Sequence, residues 1–274
     1  METYDGCFLS PTGFDRLQFA GKVQLKPLLY LDTSTITGAT LGQVLASANP
    51  MSVPRDLSCI QPFSSPLYPA SSLVVLRGNL APGGAVIKAS ASKHRELLRH
   101  SGRAVVFKNS AHLAETIDDP DLDVSPEDIL VVQNIGPVGN PGMPEAGMIP
   151  IPRKLSAKGV TDIVRISDGR TSGTAGGTIV LHVSPEAADP ESVLGLVRSG
   201  DAIELDAERG VLNVKLTEEE IARRKELRRA EIEDSGTLWV DREKTRGYRG
   251  LYMRSVTQAE YGADFDFLKA NGPA

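Results

Sequence analysis

The stretch that decides the fold runs Asp162-Ile163-Val164-Arg165-Ile166, then Ser167-Asp168-Gly169-Arg170-Thr171-Ser172-Gly173-Thr174-Ala175-Gly176-Gly177, then Ile179-Val180-Leu181-His182-Val183. The two flanking segments are strand-length, apolar and β-branched, and the Asp, Ser and Gly that bound them are ordinary strand punctuation. Working outward, the same pattern recurs at Leu73–Leu76, Ala85–Ile87, Ala104–Phe107, Ile129–Val132, Ala202–Leu205 and Val211–Val214. Eight short strands with few long helices predict an α/β (α+β) chain built on a closed or nearly closed β-barrel that helices decorate.

Helix signals are sparse. Residues 217–234 make the clearest helix, with Thr217 and Glu220 as a capping box and Glu219→Arg223 and Glu220→Arg224 as i,i+4 pairs. From Thr217 to Arg249 nine acids balance nine bases, the pattern of a solvated face and not of a basic patch. A second helix is expected after Asp189 as N-cap, with Pro190 at its first position and Gly200 as its stop. The turn Thr37–Gly42 leads into a short helix through Val44, Leu45 and Ala48 that Pro50 ends. Residues 1–32 read as a lead-in segment and 33–274 as the barrel domain.

The chain has 274 residues with 41% hydrophobic and 24% charged, the balance of a globular protein and not of a disordered chain or a fibre. A net charge of −5 argues against bulk attraction to nucleic acid or an anionic membrane. No apolar run approaches membrane-spanning length, and the first residues lack the basic and apolar regions of a secretory signal, so a cytoplasmic protein is expected. Cys7 and Cys59 stand 52 positions apart outside any CxxC pair, and read as two reduced thiols.

Two loops could carry chemistry. Gly136–Gly147 follows an apolar strand, and its glycines and prolines fix an irregular backbone with one carboxylate, Glu145, near its end. Ser167–Gly177 offers four hydroxyls, an arginine and Gly-rich backbone, a set of donors suited to a carboxylate or phosphate. The bland alternatives are a surface turn with a solvated glutamate and a flexible hairpin connection. No P-loop, GxSxG elbow or HExxH motif is present, and His182 alone reads as a satisfied core histidine.

At these loops the sequence resembles the dihydroxy-acid and 6-phosphogluconate dehydratase family of hydro-lyases. The blocks that carry the resemblance are Thr37–Gly42, Leu76–Lys88, Gly102–Phe107, Pro141–Glu145, Ser167–Thr174 and His182–Ala187, in family order. The tail Val256–Leu268 is more similar to the sugar-acid branch, the arabinonate and xylonate dehydratases. The resemblance implies conversion of a 2,3-dihydroxy acid to a 2-keto-3-deoxy acid, with a barrel as the C-terminal domain. It places Ser172 at the position of the catalytic base, Asp168, Arg170 and Thr174 around the substrate, and Glu145 at one ligand of a Mg²⁺ ion. It also implies an iron–sulfur cluster and an N-terminal domain carrying its cysteines. Cys7 and Cys59 sit in no such motif, so the cluster ligands and most Mg²⁺ ligands are expected to be absent here, leaving an incomplete metal site. Three outcomes follow: a dehydratase with altered chemistry, a non-catalytic barrel that binds a small hydroxy acid or pairs with a full-length homologue, or an incomplete gene product. A homodimer is the default assembly.

Overall fold

The computed structural model describes residues 30–47, 72–235 and 242–268. The chain divides into two compact units, Met1–Ser72 and Leu73–Ala274. In the first, helix α1 (Leu41–Ser47) starts on a reciprocal cap: the Gln43 N–H donates to the Thr40 hydroxyl, and the Thr40 N–H donates to the Gln43 side chain at 2.8 Å. Ala48, Pro50, Cys7 and Cys59 lie outside the described residues, as do most of the lead-in and the proline-rich stretch after α1.

The second unit is one eight-stranded sheet. Its strands are β1 (Leu73–Leu76), β2 (Gly84–Lys88), β3 (Arg99–Phe107), β4 (Ile129–Val132), β5 (Val164–Ser167), β6 (Ile179–Ser184), β7 (Ala202–Asp206) and β8 (Val211–Val214), in spatial order β1-β2-β6-β5-β4-β3-β7-β8. All eight expected strands form. Strands β3, β4, β5 and β6 run parallel to one another, and the remaining pairs are antiparallel. The segment between β5 and β6 is therefore a crossover, not the hairpin connection of the bland reading.

The sheet closes where β1 meets β8. The Arg77 N–H donates to Gly210 O at 2.8 Å and Arg77 O accepts from the Leu212 N–H at 2.9 Å. Two residues on, the Asn79 side chain acts as a further peptide group, donating to Val214 O and accepting from the Val214 N–H, both at 2.8 Å. Between them Gly78 passes so close that a Cβ would lie 2.0 Å from Leu212 O. The interior is filled by Leu76, Ile87, Ile129, Ile166, Val180, Ile203 and Leu212, among others. A second cluster on the outer face packs Phe107, Leu130 and Val132 against helices α2 (Ser110–Thr116) and α3 (Arg153–Ser156). Strand β4 is buried on both faces, which is why it reads as an unbroken apolar run.

Two helix expectations need correction. Residues 189–200 form turns and a single 3-10 turn, Leu194–Leu196, and no α-helix. Side chains from elsewhere hold the carbonyls of this segment: Gln133 Nε2 donates to Leu194 O at 2.7 Å, which a helix would use internally, and to Val197 O at 3.0 Å, and Arg224 Nη1 donates to Leu196 O at 3.0 Å. Helix α4 (Glu218–Ser235) forms as expected, capped by Thr217, but the Arg223 fork closes on Glu220, three residues back, not on Glu219. Arg224 also leaves the solvated face: it is buried, bonding Asp201 and Glu220. Helix α5 (Gly247–Ser255) packs Met253 against Val138 and Val256. No helix among the described residues is long and apolar enough to cross a membrane.

Candidate active site

The candidate site grows from the carboxyl ends of β4 and β5, adjacent parallel strands. After β4 the chain turns sharply at Asn134, in the left-handed region at φ 56°. The loop that follows is held from below by two buried carboxylates. Asp168 accepts the N–H groups of Ile135 (2.9 Å), Asn134 (3.2 Å) and Ala187 (2.7 Å). Glu186 accepts those of Val138 (2.9 Å) and Gly139 (2.8 Å), plus a longer bond from Gln258 Nε2. Gly136 lies over both; a Cβ there would stand 2.9 Å from Glu186 Cβ and 3.3 Å from Asp168 Cβ.

Burial pushes the Asp168 carboxyl up to about 6, with the loop N–H groups opposing the shift. Glu186 is pushed up to about 7, by burial first and the neighbouring Asp168 second. The structure thus places Asp168 beneath the loop, fully buried, and adds Glu186, which sequence reasoning passed over. Its only signal was an acid set within the resembling block His182–Ala187, and acids at that kind of position are usually solvated.

Above this frame Arg170 ties the two loops together. Its Nε donates to Met143 O, its Nη1 pairs with Glu145 at 3.2 Å, and its carbonyl accepts the Gly147 N–H at 2.9 Å. Arg170 and Glu145 are both about half exposed, and among the described residues the Arg170 Nη2 has no hydrogen-bond partner. Ser172 and Thr174 are exposed on the same loop, their hydroxyls 3.1 Å apart. Lys88 Nζ donates to Gly173 O at 3.0 Å, placing an ammonium beside the serine turn that sequence reasoning did not single out. At the loop's far end Asp162 accepts from Thr178 and Arg165, fixing where β6 begins. His182 is half-buried at φ 54°, its N–H on Gly169 O, and burial together with the Arg170 charge holds its imidazole below the ordinary range.

Among the described residues no three His, Cys, Asp or Glu side chains gather as a metal site. Glu145 faces Arg170. Mg²⁺ takes six oxygens, so these residues alone do not fit it. Both cysteines lie outside the described residues.

A family model for the C-terminal part of dihydroxy-acid/6-phosphogluconate dehydratases matches residues 58–263. The chain belongs to this family. It is 47% identical over 214 residues to the L-arabonate dehydratase of Azospirillum brasilense, covering 78% of this chain and 36% of that protein. It is 42% identical over 270 residues to the 6-deoxy-6-sulfo-D-gluconate dehydratase of Pseudomonas putida, covering 96% and 45%. To the dihydroxy-acid dehydratase of Caldicellulosiruptor saccharolyticus it is 36% identical over 268 residues, covering 94% and 45%. The family chain spans less than half the length of these curated relatives.

Proposed function

We propose that this chain is the acid-gripping, proton-abstracting part of a cytoplasmic hydro-lyase for 2,3-dihydroxy sugar acids, giving 2-keto-3-deoxy acids. The observation that carries the reading is Arg170, which joins the Glu145 loop to the Ser172 loop and whose Nη2 has no partner among the described residues. In this reading the Nη2 donors and the Thr174 hydroxyl hold the substrate carboxylate. Ser172 Oγ takes the proton from C2, and the 3-hydroxyl leaves with the C–O electron pair, so proton and hydroxide together make water. The enol then tautomerises to the keto acid. A serine is a weak base at its ordinary pKa, and the Lys88 ammonium and Arg170 guanidinium nearby lower the cost of its alkoxide. In this reading Glu145 supplies one metal ligand, and the groups that assist hydroxide departure come from outside the described residues. The higher identity to the L-arabonate dehydratase than to the dihydroxy-acid dehydratase supports a sugar acid as substrate.

A second reading is a non-catalytic barrel that binds a hydroxy acid. The Glu145–Arg170 pair favours it, because that pair neutralises the one carboxylate at the rim. Calorimetry with L-arabinonate and a keto-acid assay separate the two, run with the chain alone, after anaerobic iron–sulfide reconstitution with Mg²⁺, and with a full-length homologue whose own base serine is removed. The catalytic reading expects no cluster-dependent turnover from the chain alone. With the homologue it expects keto acid that Ser172→Ala abolishes while binding persists. Binding without product in every arrangement selects the second reading. Absence of binding, or turnover indifferent to Ser172→Ala, overturns the first.

A further inference from the structure

A cavity of about 580 Å³ opens between α4 and the ends of β3 and β4, with Lys108, Gln133, Arg198 and Arg228 in its wall. None of Glu145, Arg170, Ser172 or Thr174 lines it. It lies at the carboxyl ends of two adjacent parallel strands, where α/β sheets commonly take ligands.

Its charge is unbalanced. Arg224 lines the wall too, but Asp201 at 2.5 Å and Glu220 at 2.6 Å meet its charge. Arg228 is different: Nη2 donates to Ala187 O, Nη1 lies against Gly195, and Nε is buried without a hydrogen-bond partner among the described residues. A Cβ on residue 195 would come within 1.8 Å of Nη1, so the glycine gives the guanidinium its path. Asp189, Glu231 and Asp168 act on Arg228 only through longer-range attraction, which burial outweighs. Lys108 and Arg198 are exposed and form no ion pair among the described residues. Among the described residues Glu231 is the one acid in the wall. Three cations against one acid leave a surplus of two positive charges.

We propose that this cavity binds a small dianion of the phosphate type, with Lys108, Arg198 and Arg228 as its donors. A phosphate monoester carries between about −1.5 and −2 charges at neutral pH and three acceptor oxygens, matching the surplus and the number of cations. Guanidinium groups present paired donors that suit such an oxyanion. Because its wall comes from α4 on one side and the barrel on the other, an occupant fastens that helix to the barrel. The site is separate from the proposed reaction and does not rest on it.

The test uses the whole chain. Inorganic phosphate and glycerol 3-phosphate are titrated by calorimetry at constant ionic strength, with sodium chloride as the control anion. Saturable binding is expected for phosphate below about 10 mM, weakened about tenfold or more in Lys108→Ala/Arg198→Ala, whose side chains form no ion pair among the described residues and whose fold contacts are backbone ones that alanine keeps. Arg228→Lys keeps the charge but loses the fork, and is expected to weaken binding without removing it. Arg229→Ala, outside the cavity, leaves it unchanged. Tighter binding of glycerol 3-phosphate shows that an organic body is recognised; equal binding assigns the site to the free anion. No saturation in the parent chain, or equal binding in the double variant, overturns the proposal.

Discussion

Glu186→Gln tests the buried-carboxylate frame most directly. The Glu186 carboxyl is 1% exposed and sits at about 7 against an ordinary 4.5. A carboxyl raised in the folded state favours the protonated fold. Its contribution is complete below about pH 4.5 and is lost as pH climbs through 7, and the span between the two values is worth about 3 kcal/mol. Asp168, raised to about 6 by burial, acts in the same direction over a lower window. His182, held below its ordinary value, acts oppositely, adding stability above about pH 6.5 that is lost on acidification. Only a comparison of variants isolates Glu186. Glutamine suits the site: its one oxygen can take the place of Oε2, facing the Val138 and Gly139 N–H groups at 2.9 and 2.8 Å. Its amide nitrogen then replaces Oε1 and gives up that atom's share of the Val138 N–H at 3.0 Å and the 3.3 Å bond from Gln258. Urea unfolding at fixed ionic strength near pH 5.5 and pH 8.5 reads the difference. Parent and variant are expected to be similar at the acid end, with the parent losing about 2 kcal/mol relative to the variant at the alkaline end, because part of the full span is already lost by pH 5.5. Parallel pH profiles for the two proteins would refute the reasoning.

The barrel seam is equally exposed to test. Asn79→Ala removes both bonds to Val214 and is expected to cost about 2 kcal/mol in urea unfolding, with Asn79→Asp no better because an oxygen then faces Val214 O. Gly78→Ala drives a Cβ into Leu212 O and is expected to cost about 3 kcal/mol or more, seen as a large drop in Tm. Arg224→Met strands Asp201, which is 10% exposed, and is expected to cost about 3 kcal/mol; adding Asp201→Asn should recover most of it, and additive losses in that double-mutant cycle would contradict the pairing.

Much of the barrel was readable along the chain, because short apolar runs between Gly, Pro, Asp and Ser have few other uses. Ile129–Val132 and Val211–Val214 form strands over the bounds their composition suggests. The polar beginning of β3 was not readable. Arg99 to Arg103 become strand because β7 supplies an antiparallel partner, pairing Arg99 with Asp206 and Arg103 with Ala202. The absent helix after Asp189 has the same cause in reverse, since Gln133 and Arg224 take carbonyls that local spacing assigned to the helix.

The two loops with candidate chemistry were visible from their glycines, prolines and hydroxyls, properties each segment carries by itself. Their joining through Arg170 was not, and neither was the burial of Asp168 and Glu186 beneath Gly136. Strand identity depends on local pattern, which a chain displays in order. Strand direction, the partner of a charged side chain and the dielectric around a carboxylate depend on segments tens of residues apart meeting in space, and only the folded barrel decides those.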